Sequence, residues 1–351
     1  LAPSETVQLD KSKVLAFVTR HGSTNSHTAI LARTMNIPAL IGVDFPEEGV
    51  DGQFGIVDGF DAKFFVEPDE DTKAEYRKLK EENEQKKRLL QELKGKENIT
   101  KDGTKINLYA NIGGVSDVAN VLANDAGGIG LFRSEFLYLE SEDYPTEEAQ
   151  FAAYKTVAEN MAGKKVIIRT LDIGGDKEIP YLGLEKEDNP FLGYRAIRFC
   201  LQRTDIYNTQ LRALVRASAF GRIKIMVPLV TGVDELRSVK AMVADIMKEL
   251  DAEGIAYNKN LEIGIMMETP AACMMADVLA KEAAFFSIGT NDLTGYTMAV
   301  DRGNSKVAYL YSAFNPAVLR AIKRIIECGK KEGIMAVSYT HLRAHETVLD
   351  L

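Results

Sequence analysis

Residues 263–292 read IGIMMETPAACMMADVLAKEAAFFSIGTND, and this stretch decides the fold. Two short apolar runs, each as long as a buried β-strand, flank a segment whose apolar residues suit a helix. Each run ends at polar side chains: Glu268 follows the first, and Asn291 and Asp292 follow the second. Strands joined through one helix pair in parallel, so we expect these polar ends to lie at the same edge of a sheet.

The same alternation of strand and helix extends upstream as far as Lys101. Four further apolar runs precede this pair, at 106–113, 128–136, 166–175 and 223–230. Apolar residues also recur at three- and four-residue spacing in two segments, 147–161 and 233–250, which predicts amphipathic helices there. Six strand runs alternating with helices predict an α/β fold with a parallel sheet.

The positions of the polar residues favour a barrel over an open sheet. Several fall at or just beyond the carboxyl ends of different strand runs: Arg133, Arg169, Asp172, Glu268, Asn291 and Asp292. A barrel brings such ends around one mouth, whereas a doubly wound sheet concentrates its site behind a single GxGxxG turn. The first run continues as ANIGGVSD, which lacks that glycine spacing. We therefore predict a TIM-type (β/α)8 barrel, incomplete because only six strand runs can be counted.

Changes in composition divide the chain into four segments. Residues 1–67 hold short β-rich pieces around one helix-like run near His27, which indicates part of a small domain. Residues 68–98 are dense in charge with a thin apolar stripe, as in a solvated linker helix. We assign residues 99–335 to the barrel and residues 336–351 to an atypical tail of foreign sequence.

Composition excludes several classes of protein. The net charge of −8 argues against binding to nucleic acid or to an anionic membrane surface, since both need a basic surface. We expect no membrane insertion, because Glu268 and Asp277 interrupt the most hydrophobic region. The three cysteines lack paired spacing, which argues against a disulfide framework and a zinc site. These features predict a cytoplasmic protein.

Four arginines and one histidine are candidates for binding and transferring an anionic group. His27 stands at the start of a helix-prone run, where free backbone N–H groups favour a phosphoryl group, and neutral imidazole is a nucleophile near pH 7. A capping or core-edge histidine is the alternative. The arginines are Arg133, Arg169, Arg195 and Arg302. Together their guanidinium forks would suit a small, multiply anionic ligand, whereas each alone could form a surface salt bridge.

Two carboxylates are candidates for holding a metal. Glu268 and Asp292 end consecutive strand runs and would lie side by side at the barrel mouth. Two oxygen ligands, with the other positions left to substrate and water, match the way proteins hold Mg²⁺. The alternative is a carboxylate network that neutralises the arginines. Lys177 follows two glycines, as a phosphate-contacting lysine would.

Seven sequence runs occur in order along residues 3–335: SHTAILAR with IPALIG, GGIGLFRSEFLY, RTLDIGGDKEIPY, NPFLGYRAIR, LRALVRASAFG, MMETPAA and FFSIGTNDLTGYTMAVDRGN. Together these runs resemble enzyme I of the phosphoenolpyruvate:sugar phosphotransferase system, the phosphoenolpyruvate-protein phosphotransferase family. The resemblance implies a Mg²⁺-dependent phosphotransferase with a histidine acceptor. It also implies a swivelling phosphohistidine domain before a barrel that binds phosphoenolpyruvate (PEP).

The resemblance assigns roles to particular residues. It implies that His27 takes the phosphoryl group of PEP and passes it to the carrier protein HPr, in the first step of sugar transport. It implies PEP contacts from Arg133, Arg169, Asn291, Asp292 and Arg302, with Mg²⁺ held by Glu268 and Asp292. Arg195 and Lys177, chosen from the residues alone, complete the predicted substrate-binding set. The intact protein is expected to form a homodimer.

Three departures from the family pattern shape these expectations. The loop before the histidine reads GSTNSH where the family has GGRTSH. The chain opens on LAPSETVQLD without the family's HPr-docking domain, so we expect weak HPr binding or none. After KKEGIMA it reads VSYTHLRAHETVLDL, where the family has a strand with GMCGE and its proposed acid cysteine. We therefore expect a chain truncated at both ends, with impaired turnover.

Two other interpretations stay open. A pyruvate phosphate dikinase or PEP synthase also pairs a phosphohistidine domain with a PEP barrel, although SHTAILAR in place of a CHAA-type run favours enzyme I. A non-catalytic regulatory module of the same fold would account for the incomplete barrel. The residues do not separate the sugar branch from the nitrogen branch of the phosphotransferase system.

Overall fold

A computed structural model describes residues 13–21, 32, 37–45, 49–174, 179–301, 304 and 306–339. The chain divides into two compact units, Leu1–Lys94 and Gly95–Leu351. Three predicted site residues, His27, Lys177 and Arg302, lie outside the described residues.

The first unit contains two small sheets. Strands β1 (Phe17–Thr19) and β2 (Ala39–Ile41) pair in parallel. Strands β3 (Gly55–Asp58) and β4 (Lys63–Val66) form an antiparallel hairpin. The turn of this hairpin is closed by Asp58, whose carboxylate accepts a hydrogen bond from the Phe60 N–H at 2.8 Å.

A long charged helix, α1 (Glu70–Glu92), completes the first unit. It begins after Asp69, whose carboxylate accepts a hydrogen bond from the Thr72 N–H at 2.7 Å and so caps the helix. The Tyr76 ring lies 5.4 Å from the Phe65 ring, which packs the first turns of α1 on β4. Leu89 and Leu90, near the other end of the helix, are exposed.

The second unit is built on one curled sheet of seven parallel strands. In chain order these are β5 (Ala110–Ile112), β6 (Gly128–Arg133), β7 (Lys165–Arg169), β8 (Arg222–Val227), β9 (Glu262–Met267), β10 (Phe285–Gly289) and β11 (Met335–Tyr339). Every strand pairs with the next strand of the chain, without the reversal that marks a doubly wound sheet. The predicted TIM-type fold class is therefore confirmed.

Strand β11 is a difference from the sequence analysis, which counted six strands and placed residues 336–351 in a tail. It extends into that segment and pairs with β10 in register from Phe285 with Met335 to Gly289 with Tyr339. The Ser338 and Thr290 hydroxyls add a side-chain contact at 3.1 Å. A five-residue run carries too weak a periodicity for recognition from sequence, and its neighbour β10 supplies the ladder that makes it a strand.

Helices cover the outer face of the sheet: α2 (Val118–Ala123), α3 (Glu135–Leu139), α4 (Glu147–Asn160), α5 (Ile197–Gln202), α6 (Thr204–Ala217), α7 (Val233–Glu253), α8 (Pro270–Met274), α9 (Ala276–Leu279), α10 (Thr290–Met298) and α11 (Pro316–Lys331). Helices α4 and α7 confirm the two amphipathic segments. Each buries its predicted face, as Tyr154 on α4 and Leu236 on α7 illustrate. None of these described helices combines the length and apolar character that a membrane crossing needs.

A small apolar cluster fills the inside of the curled sheet: Leu131, Ile167, Met226, Met266 and Phe285. These side chains come from five consecutive strands, β6 to β10, and form a layer like those that fill a barrel interior. Polar residues lie beyond this layer at the carboxyl ends of the same strands. The polar carboxyl edge of the sheet thus lies directly against a packed apolar layer.

Candidate active site

Arg133 and Arg169 are neighbours at the carboxyl edge of the sheet. Each is the last residue of its strand, and the two are register partners across β6 and β7. The sequence analysis placed both at strand ends, and the parallel pairing brings those ends together. Arg169 reaches across the interior, with Nη1 3.8 Å from the Met266 sulfur.

Arg169 is held between two carboxylates. Its Nη2 pairs with Glu135 at the start of α3, and its Nη1 lies 3.0 Å from Asp172 Oδ2. Burial lowers the pKa of Arg169, but the charges of Glu135, Asp172 and Glu268 outweigh burial and raise that pKa above its ordinary value. The guanidinium is therefore charged at every physiological pH.

Asp172 joins Arg169 to Arg195, a buried arginine. Its Oδ1 accepts from Arg195 Nε at 3.1 Å and from Nη2 at 2.8 Å, while its Oδ2 faces Arg169. Arg195 Nη2 also lies 3.5 Å from Asp292 Oδ2. Burial lowers the pKa of Arg195, but Asp172 and Asp292 outweigh burial and raise it. The Asp172 carboxylate thus fixes the spacing of the two guanidinium groups.

Glu268 is a buried carboxyl group in an acidic neighbourhood. Only 2% of it is exposed, and its Oε1 accepts from the Leu229 N–H at 2.7 Å. Burial raises the pKa of Glu268 to about 8, and the charges of Asp292 and Asp172 add to this against the opposing effect of the arginines. Without a metal the site favours the protonated form of Glu268, and a cation bound beside it would stabilise the carboxylate form.

Gly289 makes room for Glu268. A Cβ at this position would lie 2.6 Å from Glu268 Oε2 and 2.7 Å from Glu268 Cβ. Any side chain here would therefore push Glu268 out of place. The glycine is required by this close approach and not by its backbone conformation, because its φ is −79°.

Asn291 and Asp292 lie in the first turn of α10, beside Glu268. The Tyr311 hydroxyl donates toward the Asn291 carbonyl oxygen at 2.9 Å. A cavity of about 470 Å³ opens next to these residues, and its apolar walls include Phe191 and Tyr296. Burial raises the pKa of Tyr296 to about 12, so this phenol stays protonated.

The described residues contain no group of three or more histidine, cysteine, aspartate or glutamate side chains arranged to hold a metal. Glu268 and Asp292 are the predicted pair, and the charge of Asp292 helps to raise the pKa of Glu268. Because Mg²⁺ commonly takes one or two carboxylates together with substrate oxygens, this pair fits such an ion.

The structure brings most of the described predicted residues to one edge. Electrostatic interactions link Glu268 with Asp292, Arg169 and Arg195. Arg133 is the register partner of Arg169, and Asn291 directly precedes Asp292. Their roles in binding stay predictions, as do those of His27, Lys177 and Arg302. Sequence reasoning missed Glu135, which is 3% exposed and pairs with Arg169. Its only signal is an acid two positions after Arg133.

Comparisons with known proteins identify two domain families in this chain. The chain matches the family model for the PEP-binding domain of PEP-utilising enzymes over residues 87–340 and the model for their mobile domain over residues 1–61. A solved citrate lyase β subunit of M. tuberculosis, complexed with oxaloacetate and magnesium, is 11% identical over 66% of this chain and 76% of that chain, with a TM-score of 0.38.

Curated relatives are much more similar. The phosphoenolpyruvate-protein phosphotransferases of Priestia megaterium and Geobacillus stearothermophilus are 48% and 49% identical over 95% of this chain. That of Staphylococcus aureus strain MRSA252 is 47% identical over 100% of this chain and 62% of its own length. The chain spans 58% of the length of the first two. The resemblance to enzyme I is thereby confirmed, and the chain belongs to the family of PEP-utilising enzymes.

Proposed function

We propose that this chain binds PEP at the edge formed by Arg133, Arg169 and Arg195 and transfers its phosphoryl group to His27. One observation carries the proposal. Arg169 Nε and Arg195 Nη1 are buried donors without a hydrogen-bond partner among the described residues. An unsatisfied buried donor costs about 1–3 kcal/mol, and more when charged. Two such donors at one edge support binding of an anionic ligand, which would supply the acceptors.

PEP offers the acceptors that these arginines lack. It carries a carboxylate and a phosphate, two anionic groups at short separation, and guanidinium forks bind either group through paired hydrogen bonds. Asp172 holds Arg169 and Arg195 at a fixed spacing, so the donors are positioned before the ligand arrives. Preorganised charge of this kind supplies most of the catalysis in phosphoryl transfer.

Mg²⁺ is the proposed cofactor, with Glu268 and Asp292 as the residues that would hold it. Burial raises the pKa of Glu268, and the charge of Asp292 adds to this effect; a divalent cation would offset both by stabilising the carboxylate. When bound, Mg²⁺ would neutralise charge on the oxygens of the transferring phosphoryl group. The surrounding arginines would orient the same group and exclude water from it.

The proposed reaction forms an N–P bond at His27 as the P–O bond of PEP breaks. The enolate leaves and becomes pyruvate after it takes up a proton. The proposal extends to HPr as the next acceptor, to a homodimer and to a cytoplasmic location, in the first step of sugar transport. The names of the relatives support this role over that of a dikinase or PEP synthase.

Phosphorylation of the chain tests the proposal. We expect incubation with PEP and Mg²⁺ to add one acid-labile phosphoryl group, located at His27 by mass spectrometry. His27→Ala is the matched control and should take no label. Label on another residue, or equal label in His27→Ala, would overturn the assignment. Absence of any label in the intact chain would favour the non-catalytic interpretation instead.

A further inference from the structure

A buried polar network lies directly behind the strand ends that carry Arg133 and Arg169. Ser134 Oγ donates to the Arg169 carbonyl oxygen at 2.6 Å, and Gln210 Oε1 accepts from the Leu171 N–H at 2.8 Å. Gln210 Nε2 donates to Ser134 Oγ at 2.9 Å. We call this pair of side chains the Ser134–Gln210 bridge. Both residues are fully buried.

The bridge supplies side-chain hydrogen bonds to β7 just beyond the point where the backbone hydrogen bonds between β6 and β7 end. Register pairing between β6 and β7 stops at Arg133 and Arg169. On the other side of the chain, the Thr170 N–H still donates to the Met226 carbonyl of β8 at 2.9 Å. Peptide groups alternate in direction along extended chain, so the Arg169 carbonyl and the Leu171 N–H face the side from which β6 has departed. Without the bridge, two buried backbone groups would lose their partners.

The hydrogen-bond directions in the network are mutually consistent. A flipped Gln210 amide would set its NH₂ group against the Leu171 N–H, so the observed orientation is the one that satisfies both. The Ser134 hydroxyl donates its hydrogen bond to the Arg169 carbonyl oxygen. A lone pair of the same oxygen atom is therefore available to accept a hydrogen bond from Gln210 Nε2. Tyr154 Oη accepts from Gln210 Nε2 at 3.2 Å and donates to Gln150 Oε1 at 3.1 Å.

We propose that Ser134 and Gln210 are positioning residues for the PEP site, which they serve by fixing the backbone from Arg169 to Asp172. This role rests on the proposed function. Arg169 precedes the held segment and Asp172 ends it, and Asp172 sets the spacing of Arg169 and Arg195. Movement of this backbone would therefore misplace both guanidinium groups at once. The hydrogen bonds of the bridge go to the strand end and to Tyr154, and Glu268 and Asp292 are not among its partners.

Two variants separate positioning from general stability. Ser134→Ala removes the hydroxyl that holds the Arg169 carbonyl. Tyr154→Phe removes a hydroxyl from the same network, fully buried like Ser134, but leaves the bonds of Ser134 and Gln210 to the strand end in place. Each variant loses buried hydrogen bonds, so both should lower the melting temperature. Ser134→Thr keeps the hydroxyl and serves as the rescue variant.

Calorimetric titration of PEP in the presence of Mg²⁺ then decides. We expect the Kd for PEP to rise about tenfold in Ser134→Ala, to change less than about twofold in Tyr154→Phe and to return toward the unmodified value in Ser134→Thr. An unchanged Kd in Ser134→Ala, or equal rises in both destabilised variants, would overturn the positioning role while leaving the proposed function standing. Failure of the unmodified chain to bind PEP would overturn both.

Discussion

Glu268 accepts a hydrogen bond from the Leu229 N–H at 2.7 Å, and its own pKa is raised to about 8, because burial and the charges of Asp292 and Asp172 outweigh the nearby arginines. Leu229 adopts a left-handed backbone angle, φ +56°, although it is not glycine. Such a residue stores strain of about 1–3 kcal/mol, which the surrounding fold must offset. The strained backbone of Leu229 and the carboxyl group with the raised pKa are thus hydrogen-bonded to each other at the predicted metal site.

The raised pKa of Glu268 predicts a pH-dependent stability in metal-free buffer. Below pH 4.5, the ordinary pKa, folded and unfolded states both carry a proton here, and the group contributes its full stability to the fold. As pH rises from 4.5 to about 8, the unfolded state ionises first, so this contribution is lost. We expect the melting temperature of the unmodified chain, measured relative to Glu268→Gln, to fall across this range.

A chelator must be present in that measurement, since bound metal would mask the trend. The variant removes the titrating group and keeps the side-chain shape, so carboxyl groups remote from Glu268 cancel in the comparison. A difference in melting temperature that stays constant from pH 4.5 to 8 would contradict the raised pKa.

Loss of the same carboxylate should also remove the response to metal. We expect Glu268→Ala to abolish Mg²⁺-dependent labelling of His27 by PEP, because one of two proposed protein ligands is gone. Glu282→Ala is the control, since Glu282 pairs with Arg237 at the surface, before the N-terminal end of β10, and should leave the Mg²⁺ dependence unchanged. A Mg²⁺ titration of labelling would show this, and equal dependence in Glu268→Ala would count against the metal assignment.

Gly289→Ala should damage the site through crowding alone. The new methyl group would lie 2.6 Å from Glu268 Oε2 and 2.7 Å from Glu268 Cβ, and such overpacking typically costs about 1–3 kcal/mol. At Gly232, by contrast, an added Cβ meets nothing within 4 Å. We therefore expect Gly289→Ala to lower both the free energy of unfolding and the PEP affinity, and Gly232→Ala to change each only slightly. Equal urea unfolding curves for the two variants would contradict this account.

Much of the sheet could be predicted because its strands are short apolar runs bounded by polar residues. The run at 128–136 became β6, and the position of Arg133 at its end followed directly. Parallel pairing then implied the neighbourhood of Arg133 and Arg169. In these cases the local pattern and the fold agree, which is the condition for reasoning from sequence to succeed.

Other parts of the site could not be predicted, because they depend on tertiary contacts. Glu135 looked like an ordinary acid after a strand, and its pairing with Arg169 exists only once β6 and β7 lie side by side. Gln210 occupies a helix position that a pattern of apolar residues leaves unassigned, yet it is fully buried. Polar residues that complete a broken ladder leave no periodic signal in the sequence.

Ala196 provides a prediction about backbone strain beside Arg195. It is fully buried, with φ +51° and ψ −130°, a conformation that favours glycine. Ala213, also fully buried, lies inside helix α6, where replacement by glycine costs about 1 kcal/mol in backbone entropy alone. Both substitutions remove one buried methyl group, but only Ala196→Gly relieves strain. We expect Ala196→Gly to be less destabilising than Ala213→Gly by about 1 kcal/mol in urea unfolding.

The functional consequence of Ala196→Gly should run opposite to its stability. The strained peptide directly follows Arg195, whose guanidinium is aimed at Asp172 and Asp292. Glycine populates many backbone conformations that alanine does not. At this position it would therefore let the Arg195 guanidinium take up a wider range of positions. The Kd for PEP should therefore rise in Ala196→Gly even though the chain unfolds no more easily than Ala213→Gly. If instead Ala196→Gly binds PEP as the unmodified chain does, then Asp172 and Asp292 alone hold Arg195 in place, and the left-handed residue contributes nothing to the site.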